Sequence, residues 1–224
     1  THTHVFNTER GPFFVDSGFI VFNKINYPNF TNWIRELNVK ESQSDMSFSV
    51  SRAGGKFEWG GSSLFSVFGQ KRNLASPRFL KMLFEVIKFN KLAKEFIRKE
   101  DVYQHKNSLG SFLSERNFSQ FFVRNYLAPM AGSIWSTPGS KIADYPTISI
   151  LQFFNNHGLL SVSNHHQWFH LPDGSSSYIK QLFKHERFRK KEIKVLKNHR
   201  VDYVEPIKNK REGLKVSLKI ENLE

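Results

Sequence analysis

Hydrophobic and polar positions divide the chain into short alternating runs, then long helical periods, then short runs again. Val15, Phe19, Ile20, Val21 and Phe22 form an apolar, mostly β-favouring run. It predicts a buried strand. Gly18 interrupts it, as glycine does where another backbone or a flat ligand comes close. Pro28 fits the first turn of a helix. Phe30, Trp33, Ile34 and Leu37 then follow helical spacing to about Asn38. Residues 1–22 read as strands joined by a turn at Arg10-Gly11-Pro12. Met46, Phe48 and Val50 alternate as a half-buried strand does. Gly54-Gly55 makes a hairpin turn into Lys56-Phe57-Glu58-Trp59, which Gly60-Gly61 ends.

Ser76-Pro77 is a helix start with serine as cap. Leu80, Leu83, Val86, Ile87, Leu92, Phe96 and Ile97 carry that helix to about Lys99. Ser108 caps a helix holding Leu109, Phe112 and Leu113. Phe121, Phe122, Tyr126 and Leu127 continue helical spacing to Pro129, and Ile134 to Gly139 reads as a loop around Trp135. Pro146 opens a helix that Gly158 caps. Trp168 to Leu171 is strand-like, Pro172-Asp173-Gly174-Ser175 is a turn, and Tyr178, Ile179 and Leu182 mark a short helix. Ile193 to Leu196, Val201 to Val204 and Leu214 to Ile220 read as strands. Strands, a helical middle and strands again predict one domain interrupted by another, with first and last segments sharing a sheet.

The 224 residues are 39% hydrophobic, enough to bury a sizeable core. There is no cysteine, which excludes disulfides and thiolate metal sites and fits a reducing, cytoplasmic compartment. No apolar run approaches the ~20 residues of a membrane span. Both ends look cut inside strands, so a fragment is expected. The net charge of +13 can draw in nucleic acid, anionic lipid or a phosphate-bearing cofactor. An A+T-rich gene would produce the same abundance of lysine, asparagine, phenylalanine and isoleucine.

Local motifs for chemistry are sparse. No GxGxxG follows a strand and no GxxxxGK[ST] loop is present. His165 and His166 would face opposite sides of a strand, and no carboxylate stands near them or His170 at ligand spacing, so no metal is expected. No serine sits in a GxSxG elbow. Asp16, Asp144 and Asp173 lie beside turns or prolines, where aspartate is ordinarily structural. Arg187-Phe188-Arg189-Lys190-Lys191, continuing to Lys194, Lys197 and Arg200, is the best nucleic-acid candidate. It has one interleaved aromatic, where base-stacking modules want several, and reads better as a solvated charged stretch. No nucleic acid is expected.

The ordered blocks nevertheless resemble a known family. They are Asp16 to Asn23, Tyr27 to Phe30, Ser44 to Val50, Tyr126 to Met130, Ile134 to Pro138, Phe153-Phe154-Asn155-Asn156-His157-Gly158-Leu159, and Pro172 to Ser175 with Tyr178-Ile179. Together they look like the flavin-containing amine oxidoreductase superfamily (monoamine and polyamine oxidases, phytoene desaturases), in particular the bacterial branch described as predicted NAD/FAD-binding proteins. The resemblance implies an α/β (α+β) fold. An interrupted, incomplete FAD-binding Rossmann-like domain, without its GxGxxG segment, would occupy 1–45 and 166–224. A mixed sheet-plus-helices substrate domain, 46–165, would be inserted in it.

The resemblance also implies site residues. Gly18, Phe19 and Ile20 match the segment that passes beside the flavin ring and ribityl chain, where a side chain at 18 would block close approach. Val201 matches a valine whose backbone meets the adenine of FAD. Met130, Trp135 and Phe154 fall where the substrate domain faces the flavin, and packing into the core is an equal reading of them. Asp173 replaces a glycine of the family's Pro-Gly-Gly-Ser turn. No catalytic residue carries over. The implied function is hydride transfer from an amine or apolar, lipid-like substrate to FAD, inactive in this segment alone, with a peripheral membrane contact and the oligomeric state left open. Two alternatives stand beside it: a basic binding module for nucleic acid or anionic lipid, and a non-catalytic flavoenzyme remnant.

Overall fold

The computed structural model describes residues 2–99, 107–161, 166–190, 199–206 and 214–219. Strand β1 (Thr3–Thr8) pairs antiparallel with β2 (Gly11–Asp16), setting Phe6 opposite Phe13 and Val5 opposite Phe14. The turn falls where Arg10-Gly11-Pro12 predicts it. The apolar run from Val15 to Phe22 is not one strand, however. The chain bends at Ser17-Gly18 and re-enters as a separate strand, β3 (Phe22–Asn23). Helix α1 (Pro28–Glu36) follows, with Pro28 in its first turn and Ile34 buried.

β4 (Ser42–Ser44) precedes the hairpin of β5 (Ser49–Arg52) and β6 (Phe57–Gly60). Ala53, Gly54 and Gly55 between them all take positive φ, so the glycines are there for the turn. The alternation from Met46 yields strand only from Ser49 onward, and Met46 itself is exposed.

The middle of the chain is helical: α2 (Leu64–Val67), a 3-10 turn at Lys71–Ala75, α3 (Pro77–Lys99) and α4 (Leu109–Glu115). Ser76 Oγ accepts the Phe79 amide at 3.3 Å, and Ser108 Oγ accepts that of Ser111 at 3.2 Å. Both serines cap as their sequence positions predict. α5 (Gln120–Phe122) runs through a π-helical turn, Val123–Leu127, into α6 (Ala128–Trp135). Trp135 therefore ends a helix and does not sit in a loop. Pro129 lies in the first turn of α6, where it does not stop the helix. A 3-10 turn at Gly139–Asp144 leads to α7 (Thr147–Asn156). Gly158, at φ +72°, closes α7 as predicted: its amide donates to Asn155 O and that of Leu159 to Phe154 O.

β7 (Trp168–His170), α8 (Ser176–Lys184), the short α9 (Glu186–Arg189) and the antiparallel pair β8 (Arg200–Pro206) and β9 (Leu214–Lys219) complete the described elements. The strand expected at Ile193 to Leu196 lies outside the described residues. β7 is central in a three-stranded sheet of order β3-β7-β4. β3 and β4, from the first 45 residues, thus share a sheet with β7, whereas β1–β2 and β8–β9 are separate two-stranded sheets. The fold is mixed α/β with several small sheets, and every described pairing is antiparallel. The parallel ladder of a Rossmann-like domain is not among these described pairings.

Among the described residues, buried apolar side chains form two clusters. The larger gathers Phe79, Phe89, Phe112, Phe122 and Leu151 with Val50 and Trp59. The smaller holds Phe22, Ile34 and Leu171, with Phe19, Phe30, Phe169 and Tyr178 against them. Trp59 Nε1 donates to Asn125 O at 3.1 Å inside the larger cluster. Pro129, four residues on, has no N–H to offer that carbonyl, and the indole donates to it.

Candidate functional site

Three segments far apart in sequence meet beside β7. Asn23, at the end of β3, is fully buried. Its Oδ1 accepts the Asn26 amide at 2.8 Å, and Asn26 Nδ2 donates to Asn156 O at 2.9 Å, tying the loop before α1 to the end of α7. That loop presents Tyr27, whose hydroxyl lies 3.2 Å from His157 Nε2. The imidazole stacks on two rings, Phe153 at 3.9 Å and Trp168 at 5.8 Å between centroids. Trp135 lies against Phe153 in turn, at 4.7 Å.

The hydrogen bonds fix the tautomer of His157. Its Nδ1 is 2.9 Å from Phe153 O, which can only accept, so Nδ1 carries the proton. Nε2 is then an acceptor and Tyr27 donates to it. Burial holds the imidazole pKa below its ordinary value, against the Phe153 bond that raises it; His166 nearby lowers it further. A neutral imidazole holding the tyrosine O–H leaves the lone pairs of Tyr27 Oη free to accept a hydrogen bond. Asn23 Nδ2 and His166 Nδ1, both buried, have no hydrogen-bond partner among the described residues. No group of metal-ligating side chains occurs among the described residues.

A second junction lies at the end of β2. The Asp16 carboxylate accepts the Ser175 amide at 2.8 Å and the Ser175 hydroxyl at 2.8 Å. Thr3 Oγ1 donates to the same carboxylate and accepts the Ser176 amide at 2.9 Å. Asp16 thus sits at the N-terminus of α8, where a negative charge is favoured, and has the structural role its place beside a turn predicts. Gly174 has φ +74°, and a Cβ on it would stand 2.3 Å from Thr3 Cγ2. Only glycine fits there.

The residues singled out in the sequence divide by environment. Gly18, Phe19 and Ile20 follow the Asp16 junction directly; Gly18 and Ile20 are exposed and Phe19 packs on Phe22 and Phe30. A Cβ at Gly18 would meet nothing within 4 Å among the described residues. Val201 is exposed in the β8–β9 hairpin, a different sheet. Met130 and Trp135 are half-buried, whereas Phe154 is 1% exposed and packs on Phe89 within the core. Arg189 and Lys190 of the basic stretch are exposed, and Lys190 pairs with Glu186 at 3.5 Å. Of the histidines weighed for metal, His165 lies outside the described residues, and His170 is in β7. Sequence reasoning missed Tyr27 and His157 as a pair. The signal was an aromatic-flanked histidine in Phe153 to Leu159, a block read for its resemblance but not for chemistry.

Neither a protein-family model nor a curated protein matches this chain.

Proposed function

We propose that this chain is a segment of an FAD-dependent oxidoreductase that takes a hydride from an amine or an apolar, lipid-like substrate. In this reading an interrupted Rossmann-like domain, 1–45 and 166–224, surrounds a substrate domain, 46–165. The resemblance carried by the ordered sequence blocks is its basis. One structural observation supports it most: the Asp16 carboxylate holds the Ser175 amide, so the Asp16 to Asn23 block and the Pro172 to Ser175 turn, two blocks of the resemblance, meet in space.

The residues at Gly18 fit such a cofactor. The glycine leaves open space beside exposed backbone, as a flat ring requires for close approach. FAD, when bound, supplies the hydride acceptor. The chain's own residues position and exclude water: Ile20 offers an exposed apolar side chain, and Met130 and Trp135 are half-buried apolar surface. Oxidation of an amine also releases a proton; Tyr27 Oη would take it as its own hydroxyl proton passes to His157 Nε2, 3.2 Å away.

The test is the visible spectrum of the protein produced from its complete reading frame. A flavin absorption band that survives desalting and is released on denaturation is expected. A folded protein that neither retains nor takes up FAD overturns the reading.

A further inference from the structure

We infer that the outer face of α3 is a docking surface for an anionic lipid bilayer. Helical spacing sets Leu80, Phe84, Ile87 and Lys91 along one stripe, with Lys81 and Lys94 on its flanks. Phe84 is 73% exposed and Ile87 59%, large apolar side chains left in water in the middle of a helix. Arg78, Lys81, Lys91, Lys94 and Arg98 on the same helix are exposed as well. None of these five cations has an ion pair among the described residues.

The acids of α3 do not cancel this charge. Glu85 is buried and accepts from the Ser119 amide at 2.8 Å and from the Ser119 hydroxyl at 2.6 Å. Glu95, half-buried, is the other acid on the helix. Pro77, Leu80 and Phe84, with Lys81 and Lys88, line one shallow surface depression. Exposed rings at the centre and lysines around them match a bilayer interface: acyl chains cover the apolar side chains and anionic headgroups meet the cations. Nucleic acid would use the charge but leave Phe84 and Ile87 without an apolar partner. The inference does not depend on flavin.

The experiment is flotation of the whole chain with vesicles of phosphatidylcholine alone or mixed with phosphatidylglycerol. Binding to the anionic vesicles that weakens with salt is expected. Lys81→Glu with Lys91→Glu should weaken it by at least about fivefold per site, and Phe84→Ser with Ile87→Ser by at least about tenfold. All four side chains are exposed, and circular dichroism checks that the variants stay folded. Lys40→Glu with Lys56→Glu makes the same charge change at exposed sites elsewhere and should leave binding near wild type. Equal binding to neutral vesicles, no vesicle binding, or equal losses in the control overturns the inference. So does salt-sensitive binding of single-stranded DNA in place of vesicles, unchanged by Phe84→Ser and Ile87→Ser.

Discussion

Asp16 and Ser175 are 159 residues apart in the chain, yet the aspartate carboxylate accepts both the amide and the hydroxyl of the serine. This bond set joins the β1–β2 hairpin to the start of α8. Asp16→Ala would leave the Ser175 amide and the Thr3 hydroxyl without their acceptor. A loss of about 2 kcal/mol in urea unfolding is expected. Gly174→Ala should cost more, because the new methyl meets Thr3 Cγ2 and the backbone sits at positive φ. Equal stability of Gly174→Ala and wild type would contradict this packing.

Trp59→Phe keeps most of the ring and removes the donor to Asn125 O. That carbonyl is buried beside Pro129, so a loss of about 1–2 kcal/mol is expected in thermal or chemical unfolding. Trp59→Phe at full stability would mean the indole bond contributes nothing.

His157 gives a pH dependence of defined sign. Its folded pKa lies below the ordinary value of about 6.5. Between the two values the unfolded chain binds more protons than the folded one, so this group's stabilisation, complete above about 6.5, falls away as pH drops toward the folded value. His157→Phe should flatten that part of the profile. The measurement is the difference between wild-type and variant unfolding free energies from neutral pH down into the acid range; a constant difference would refute the assignment.

Gly18 and Phe154 separate ligand binding from folding. Gly18→Val projects into open space, so unfolding should change by no more than about 0.5 kcal/mol. On the proposed reading, FAD retention should nonetheless fall at least about tenfold, because the new side chain blocks close approach of the ring. Phe154→Ala should instead cost about 3–5 kcal/mol, since the ring is buried against Phe89. Undiminished flavin in Gly18→Val would remove Gly18 from the candidate site.

Local chemistry was sufficient to read much of this molecule. Ser76-Pro77, Ser108 and Gly158 act through bonds to residues only a few positions away, and Gly54-Gly55 needs only its own backbone freedom, so their helix ends and hairpin turn are legible in the sequence. The apolar spacing from Leu80 to Ile97 likewise made α3 legible as a helix but not its buried face: Phe79, Met82 and Phe89 are buried with Phe96, whereas Ile87 is exposed. What the sequence could not reveal depends on partners distant in the chain. Whether Val15 to Phe22 stays one strand was decided by Asp16 turning to Ser175 and by Phe22 pairing with Phe169. Pro129 looked like a helix end because its missing N–H is local, whereas the indole that serves Asn125 comes from a hairpin 66 residues away. Tyr27 and His157 are separated by 130 residues, and only the packing of α7 against the loop before α1 makes them a pair. Short-range hydrogen bonds are written in neighbouring residues; pairings across the chain exist only once the chain has folded.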